Sequence, residues 1–362
     1  MQTGHTTDDG TAEPSTRTTL THVATFEHQV TGVSVAEDGR IFVNFPRWTE
    51  DAPVSVAELM QDGSMRPYPD GEWNRWRNAK KSEISPGDHW VCVQSVVADG
   101  RGGLWVLDPA APATAAIVPG GPKLVRIELA TNRVAQTIAF DTTVAPNGSY
   151  LNDVRFSPDG RHAYITDSGG QGALVVVDLR SGAARRVLDA DRSVQPEKEV
   201  VVAIDGKPVR RPDGRGVEFA SDGIALSRDG QYLYWKAVTG RTLYRITTAA
   251  LTNAALAPNE LAAKVERVGD AVVSDGLWMD AGGRLYLTAP EDHSVKVREP
   301  DGGDRLTTVV QDARLNWPDT LSQGPDGTMY VTASHIPDMS WYEPESPPQL
   351  RGTALFSFAP AR

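Results

Sequence analysis

Asp275-Gly276-Leu277-Trp278-Met279-Asp280 runs through Ala281-Gly282-Gly283-Arg284 into Leu285-Tyr286-Leu287. A small polar residue opens a run of alternating apolar positions. A glycine turn follows, then a second apolar run returns, which is the sequence form of a β-hairpin. The same pattern begins at Thr31, Gln94, Asn152, Asp222, Asp275 and Asp319. Repeats spaced roughly 40–70 residues apart point to a propeller or another repeat array.

Two further strand-like runs follow each hairpin except the last, which keeps only TALFSFA at 353–359. The run HVATFE at 22–27 has no other home, so it supplies the missing outer strand. The expected fold is therefore all-β: a six-bladed β-propeller with four-stranded blades, closed by pairing of the N-terminal strand with the last blade. Closure removes the open sheet edge that invites aggregation. The propeller is expected to occupy residues 20–362, preceded by a disordered tail at 1–19 rich in Thr, Asp, Gly and Pro.

Bulk composition narrows the partners. A net charge of −11 argues against nucleic acid and anionic membrane. No apolar run reaches the ~18 residues of a membrane-spanning helix. The single cysteine, Cys92, excludes an internal disulfide framework. Residues 1–19 lack the apolar core of a signal peptide. The expectation is a cytoplasmic monomer or weak homo-oligomer acting on a small organic metabolite, with no organic cofactor.

If the first strand of each blade lines the axis, the six opening residues form a ring at one end of the central channel. Three carboxylates and an amide oxygen would meet there. They repel one another unless a cation, raised pKa values or backbone N–H groups neutralise them. Hard oxygen donors suit a single Ca²⁺, Mg²⁺ or Mn²⁺, with Asn152, Asp222 and Asp275 as the candidate ligands. The plain alternative is that each Asp merely caps its strand.

Long loops fall on the same face at 70–93, 109–122, 141–151, 190–221 and 336–351, and binding usually resides in such loops. Candidate substrate-binding residues are Arg47, Trp48, Gln94, Asp167, Trp90 and Trp341. Candidate catalytic groups are His335 and His293, which titrate near neutrality, with Asp319 and Lys236. The segment 190–221 carries its own hairpin and is placed to act as a lid.

FVNFPRW (42–48), PYPDGEWN (67–74), VQSVVADGRGGLWVLD (93–108), LNDVRFSPDG with AYITDSGGQGALVVVDL (151–179) and DGIALSRDGQYLYW (222–235) resemble the major royal jelly protein/Yellow family over about residues 21–360. The resemblance implies a six-bladed propeller with a ligand-binding channel. Insect relatives include dopachrome-converting enzymes and binders of biogenic amines. A more distant resemblance is to the gluconolactonase/senescence-marker-protein group, whose enzymes hold one divalent cation with a Glu, two Asn and an Asp. Blade by blade, Asn152 keeps one Asn, Asp222 replaces the other and Asp275 keeps the Asp. Thr31 stands at the Glu position, leaving Asp319 as the substitute carboxylate. The function these features suggest is metal-assisted lactone or ester hydrolysis. The alternatives are a tautomerase, or a non-catalytic binder of an amine or aromatic metabolite.

Overall fold

The computed structural model describes residues 18–361. Six four-stranded antiparallel sheets surround a channel, and a separate two-stranded hairpin lies outside them. In blade 1 the strands are Gly32–Val35, Ile41–Asn44, Val56–Leu59 and Met65–Pro67. Blade 2 comprises Ser95–Ala98, Gly103–Asp108, Lys123–Glu128 and Arg133–Ala139. Blade 3 comprises Leu151–Phe156, His162–Asp167, Ala173–Asp178 and Ala184–Val187. Blade 4 uses Ser221–Leu226, Tyr232–Ala237, Thr242–Thr247 and Glu266–Asp270. Blade 5 uses Leu277–Met279, Leu285–Ala289, Ser294–Arg298 and Thr307–Gln311. Blade 6 takes Pro318–Gln323, Met329–Ala333 and Thr353–Phe358, and its outer strand is Thr21–Phe26.

The ring therefore closes as the sequence predicts, with Thr21 opposite Ser357 and Phe26 opposite Thr353. The expected tail at 1–19 lies outside the described residues except for Thr18 and Thr19. Thr18 already follows blade 5, its N–H donating to Val309 O at 2.9 Å.

Alternation along the strands builds the core between blades rather than in one centre. Leu104, Val106, Val125 and Ile127 of blade 2 pack on Phe42, Val56 and Tyr68 of blade 1. Leu355 of the closing sheet packs with Phe26, Val33 and Val43. The second strands, buried on both faces, read as near-continuous apolar runs such as Leu285-Tyr286-Leu287.

The first strand of every blade touches the first strands of both neighbours around the axis. Two glycines allow that approach. A Cβ on Gly223 would lie 2.3 Å from Asp275 O, and one on Gly276 would lie 2.1 Å from Asp319 O. These are backbone atoms, which a side chain cannot push aside cheaply. The Asp-Gly pairs of the repeat thus serve strand packing at the axis.

Gly276→Ala is expected to destabilise the protein by ~1–3 kcal/mol, the usual range for overpacking a tight site. Gly71→Ala, where an added Cβ meets no atom within 4 Å, should stay within about 0.5 kcal/mol of wild type, as surface changes do. Urea unfolding of both variants checks this, and equal stabilities would refute the close-packed axis.

Candidate active site

The polar ring forms because the inner strands are bent. In blades 3, 4 and 6 the register slips between Leu151 and Val154, Ser221 and Ile224, and Pro318 and Leu321. Each slip is a β-bulge, which re-aims a side chain and leaves an N–H off the ladder. The re-aimed residues are Asn152, Asp222 and Asp319. Threonines on the second strands take up freed N–H groups: Thr166 accepts from Asp153 N at 3.2 Å and Thr332 from Thr320 N at 3.0 Å. In blade 5, Thr288 accepts from Asp275 N at 3.1 Å and Gly276 N at 3.0 Å.

Those second-strand positions also bridge blades. Thr166 Oγ1 donates to Asp222 O at 2.7 Å, and Thr332 Oγ1 donates to Thr31 O at 2.6 Å. Asn44 Nδ2 donates to Gln94 O at 3.1 Å. In blade 4 the position is Lys236, whose Nζ donates to Ala237 O and reaches Ser274 O at 3.5 Å. Lys236 is fully buried. Burial pushes its ammonium down to about 7, against the pull of Glu197, Asp222 and Asp275.

Above the ring is a cavity of about 290 Å³, lined by Gln94, Asn152, Asp222, Asp275 and Asp319 below and by Trp48, Tyr150, Phe219 and Trp341 on its walls. Its floor is one hydrogen-bonded chain. Trp48 Nε1 donates to Tyr150 OH at 2.6 Å, and Tyr150 OH donates to Gln94 Oε1 at 2.9 Å. Gln94 Nε2 lies 3.5 Å from Asn152 Oδ1, and Asn152 Nδ2 donates to Asp222 Oδ2 at 2.6 Å. Asp222 is hydrogen-bonded to Asp275, and Trp317 Nε1 donates to Asp275 Oδ2 at 2.6 Å.

The acids are electrostatically crowded. Burial raises Asp222 well above the usual carboxylate range, and Asp275 and Asp319 raise it further. Asp319 is raised well above that range by burial and by Asp275, against hydrogen bonds from Ser334 and Thr320. Asp275 is raised by burial, while Trp317, Asp222 and Lys236 pull it back. Asp222 and Asp319 are only 6% and 5% exposed.

Of the residues predicted from sequence, the cavity gathers Trp48, Gln94, Trp341, Asn152, Asp222, Asp275 and Asp319. It leaves six outside its lining, and local bonding explains each placement. Arg47 is fully buried and stitches loops, donating to Ala52 O and Val91 O at 3.0 Å and also to Trp90 O. Burial lowers Arg47 to about 10. Trp90 is buried against Trp73, its indole N–H on Tyr68 O at 2.9 Å. Asp167 caps the 149–150 turn, accepting from Ser149 Oγ at 2.6 Å and Tyr150 N at 2.7 Å, and pairs with Arg186. His293 bonds Leu315 O at 3.1 Å and Asp205 Oδ1 at 3.2 Å, tying the 203–208 hairpin to blade 5. His335 sits 3.2 Å from Asp338. Lys236 lies behind the ring rather than in the cavity.

Tyr150, Trp317, Phe219 and Arg211 were not singled out from sequence. A faint signal exists for two of them. Tyr150 and Trp317 each stand two residues before a ring residue, just ahead of the inner strand.

A six-bladed propeller with an acid-floored cavity at one mouth of its channel is the class this geometry defines. The chain belongs to the major royal jelly protein family, whose sequence profile matches residues 91–345. No curated protein sequence matches it. Among solved structures it is similar in fold to a gluconolactonase from Xanthomonas campestris (TM-score 0.56, 12% identity, covering 94% of this chain and 89% of that one). It is also similar to the calcium-binding protein regucalcin from Agrobacterium tumefaciens (TM-score 0.53, 14% identity, covering 93% of each chain). A third is virginiamycin B lyase from Staphylococcus aureus (TM-score 0.52, 13% identity, 94% and 99%). These likenesses concern the fold.

The crowded carboxyls imply a pH signature. A carboxyl whose folded value is raised holds its proton more tightly in the native state than in the unfolded chain. The stability this contributes is complete below the ordinary value of ~3.9 and is lost as pH rises through the raised folded values. In chelator, the wild type should therefore lose stability from pH 5 to pH 8. Asp222→Asn and Asp319→Asn should each flatten that profile and melt higher than wild type at pH 8. A flat wild-type profile, by thermal denaturation, would refute the crowding.

Proposed function

We propose that the protein is a small-molecule hydrolase of the lactone or ester class, working at the channel mouth with one divalent cation. The observation that carries this reading is the set of three carboxyls, Asp222 and Asp319 buried and Asp275 partly so, that meet in one cavity whose basic side chains, Arg211 and Arg215, come from the 210–216 turn. Buried acids left this way are costly, and retained crowding of this kind marks functional sites.

The donors fit a hard cation in kind, being three carboxylates and the amide of Asn152. Among the described residues, no three His, Cys, Asp or Glu side chains are already arranged to hold a metal. Asn152 now turns its Nδ2 to Asp222, so its oxygen would reach the ion only by giving up the 3.5 Å contact with Gln94 Nε2. Asp222, Asp275 and Asn152 would hold the ion, which when bound polarises a carbonyl and acidifies water.

The chain's own groups do the rest. Trp317 fixes the rotamer of Asp275, and Tyr150 and Gln94 hold Asn152 in place. Asp319 has the raised affinity for protons that a general base needs. It takes the proton of the attacking water as the oxygen–acyl bond forms, and returns it to the alkoxide as the ring C–O bond breaks. The indole and phenyl walls exclude bulk water and stack on a ring.

A second reading has its own support: aromatic walls of Trp48, Trp341 and Phe219 above an acidic floor also suit an organic ammonium. The two separate experimentally. For the hydrolase, Asp275→Asn should lower bound Mn²⁺ or Ca²⁺ and cut lactone turnover by ~10²-fold or more, with partial rescue by excess metal. Elemental analysis and a lactone panel check this. Amine binding that ignores chelator, with no lactone or ester turned over, would overturn the hydrolase in favour of the binder.

A further inference from the structure

The segment between blades 3 and 4 ends in Arg211-Pro212-Asp213-Gly214-Arg215, a Pro-Asp-Gly turn in sequence. It is well closed. Arg211 N donates to Arg215 O at 2.7 Å, Gly214 N to Arg211 O at 2.9 Å, and Arg215 N to Asp213 Oδ1 at 3.0 Å. Arg210 and Gly216 pair just below it. The turn places Arg211 in the cavity lining, beside Trp341.

Its guanidinium lies over two rings, 5.0 Å from the centre of Trp341 and 5.7 Å from that of Tyr342. One hydrogen bond ties it to Tyr342, and its other N–H groups can still donate to a ligand. The neighbouring Arg215 is paired with Asp213 at 2.7 Å. Among the described residues Arg211 forms no ion pair, and Glu218 shares the lining without pairing to it. A cation seated over aromatic rings, with no carboxylate in salt-bridge contact, is a ready receptor for a ligand carboxylate.

We propose that Arg211 recognises a carboxylate on the substrate, so that the site takes ring-bearing organic monoanions. The ring lies between Trp48, Trp341 and Phe219, the carboxylate rests on Arg211, and the reacting carbonyl reaches the floor. Opposite charge at the two ends orients the molecule: its anionic group is repelled by Asp222, Asp275 and Asp319 and drawn to the mouth. The kinetic part of this inference rests on the hydrolase reading, and the binding part does not.

The test has two arms. In the first, the wild type is assayed with a γ-lactone bearing a ring carboxylate and with the primary amide of that carboxylate. Wild type should favour the carboxylate by ~10-fold or more in kcat/KM, the scale of one charge-assisted hydrogen bond. Arg211→Gln should raise KM for the carboxylate, leave kcat nearly unchanged and remove the preference. Arg211→Lys, which keeps the charge without the planar stack, should restore only part of it. In the second arm, calorimetry compares phenylacetate with phenylacetamide on wild type and both variants. Wild type should bind the acid more tightly, and Arg211→Gln should bind the two alike. Absence of lactone turnover with this binding pattern intact would refute the hydrolase and leave the anion site standing. Equal binding of acid and amide by wild type, or an equal loss of both in Arg211→Gln, would overturn the inference whatever the turnover.

Discussion

One side-chain hydrogen bond, repeated around the axis, governs this architecture. The last or penultimate residue of a second strand reaches across to the start of the inner strand of the next blade. Asn44 does so to Gln94, Thr166 to Asp222, Lys236 toward Ser274 and Thr332 to Thr31. Each such bond is worth only ~1 kcal/mol net. Its larger effect is geometric, because it fixes how far each inner strand stands from the next. With Gly223 and Gly276 allowing backbone contact, the ring contracts until its polar side chains must touch. The acidic floor is thus a consequence of how the blades are stitched.

That contraction creates an electrostatic debt which the protein settles only in part. Lys236 occupies a position that is threonine in blades 3, 5 and 6, so one buried ammonium lies behind Asp222 and Asp275. It offsets one charge at most, and with its own affinity for protons lowered to about 7 it does so incompletely near neutrality. Apart from Arg211, the arginines near the mouth are engaged elsewhere: Arg47 on loop carbonyls, Arg186 on Asp167, Arg215 on Asp213. A floor built for stability alone would have carried a neutral residue on every blade, as blades 1 to 3 do with Thr31, Gln94 and Asn152.

Much of this was legible in the sequence, for a physical reason. Turn glycines recur at a fixed offset from alternating apolar residues, so the six hairpins could be aligned and the ring read off them. The closing strand could be placed by elimination. Other features were hidden. A β-bulge costs one extra residue and leaves no compositional mark, so the re-aiming of Asn152, Asp222 and Asp319 was not visible. Loop residues were harder still. Arg47 and Trp90 lie in loops on the binding face and Asp167 ends a second strand there, yet all three satisfy backbone groups behind the cavity wall. Buried carbonyls need donors, and a polar loop residue serves that need as readily as it serves a ligand. Arg211 differs in resting on Trp341 and Tyr342 without an ion pair among the described residues, which only coordinates reveal.

The ring is divided, and the division bears on chemistry. Thr31, Gln94 and Asn152 make a neutral half, held in one polarity by the donor-only indole of Trp48 acting through Tyr150. Asp222, Asp275 and Asp319 make an acidic half, held by the indole of Trp317. A molecule in the cavity therefore meets a field across the channel as well as along it. Crosswise, amide groups face carboxyls; lengthwise, the carboxyl floor faces Arg211. Two perpendicular gradients leave a small asymmetric ligand one favoured orientation, and such preorganisation is what lets a rigid propeller act on a molecule rather than merely hold it.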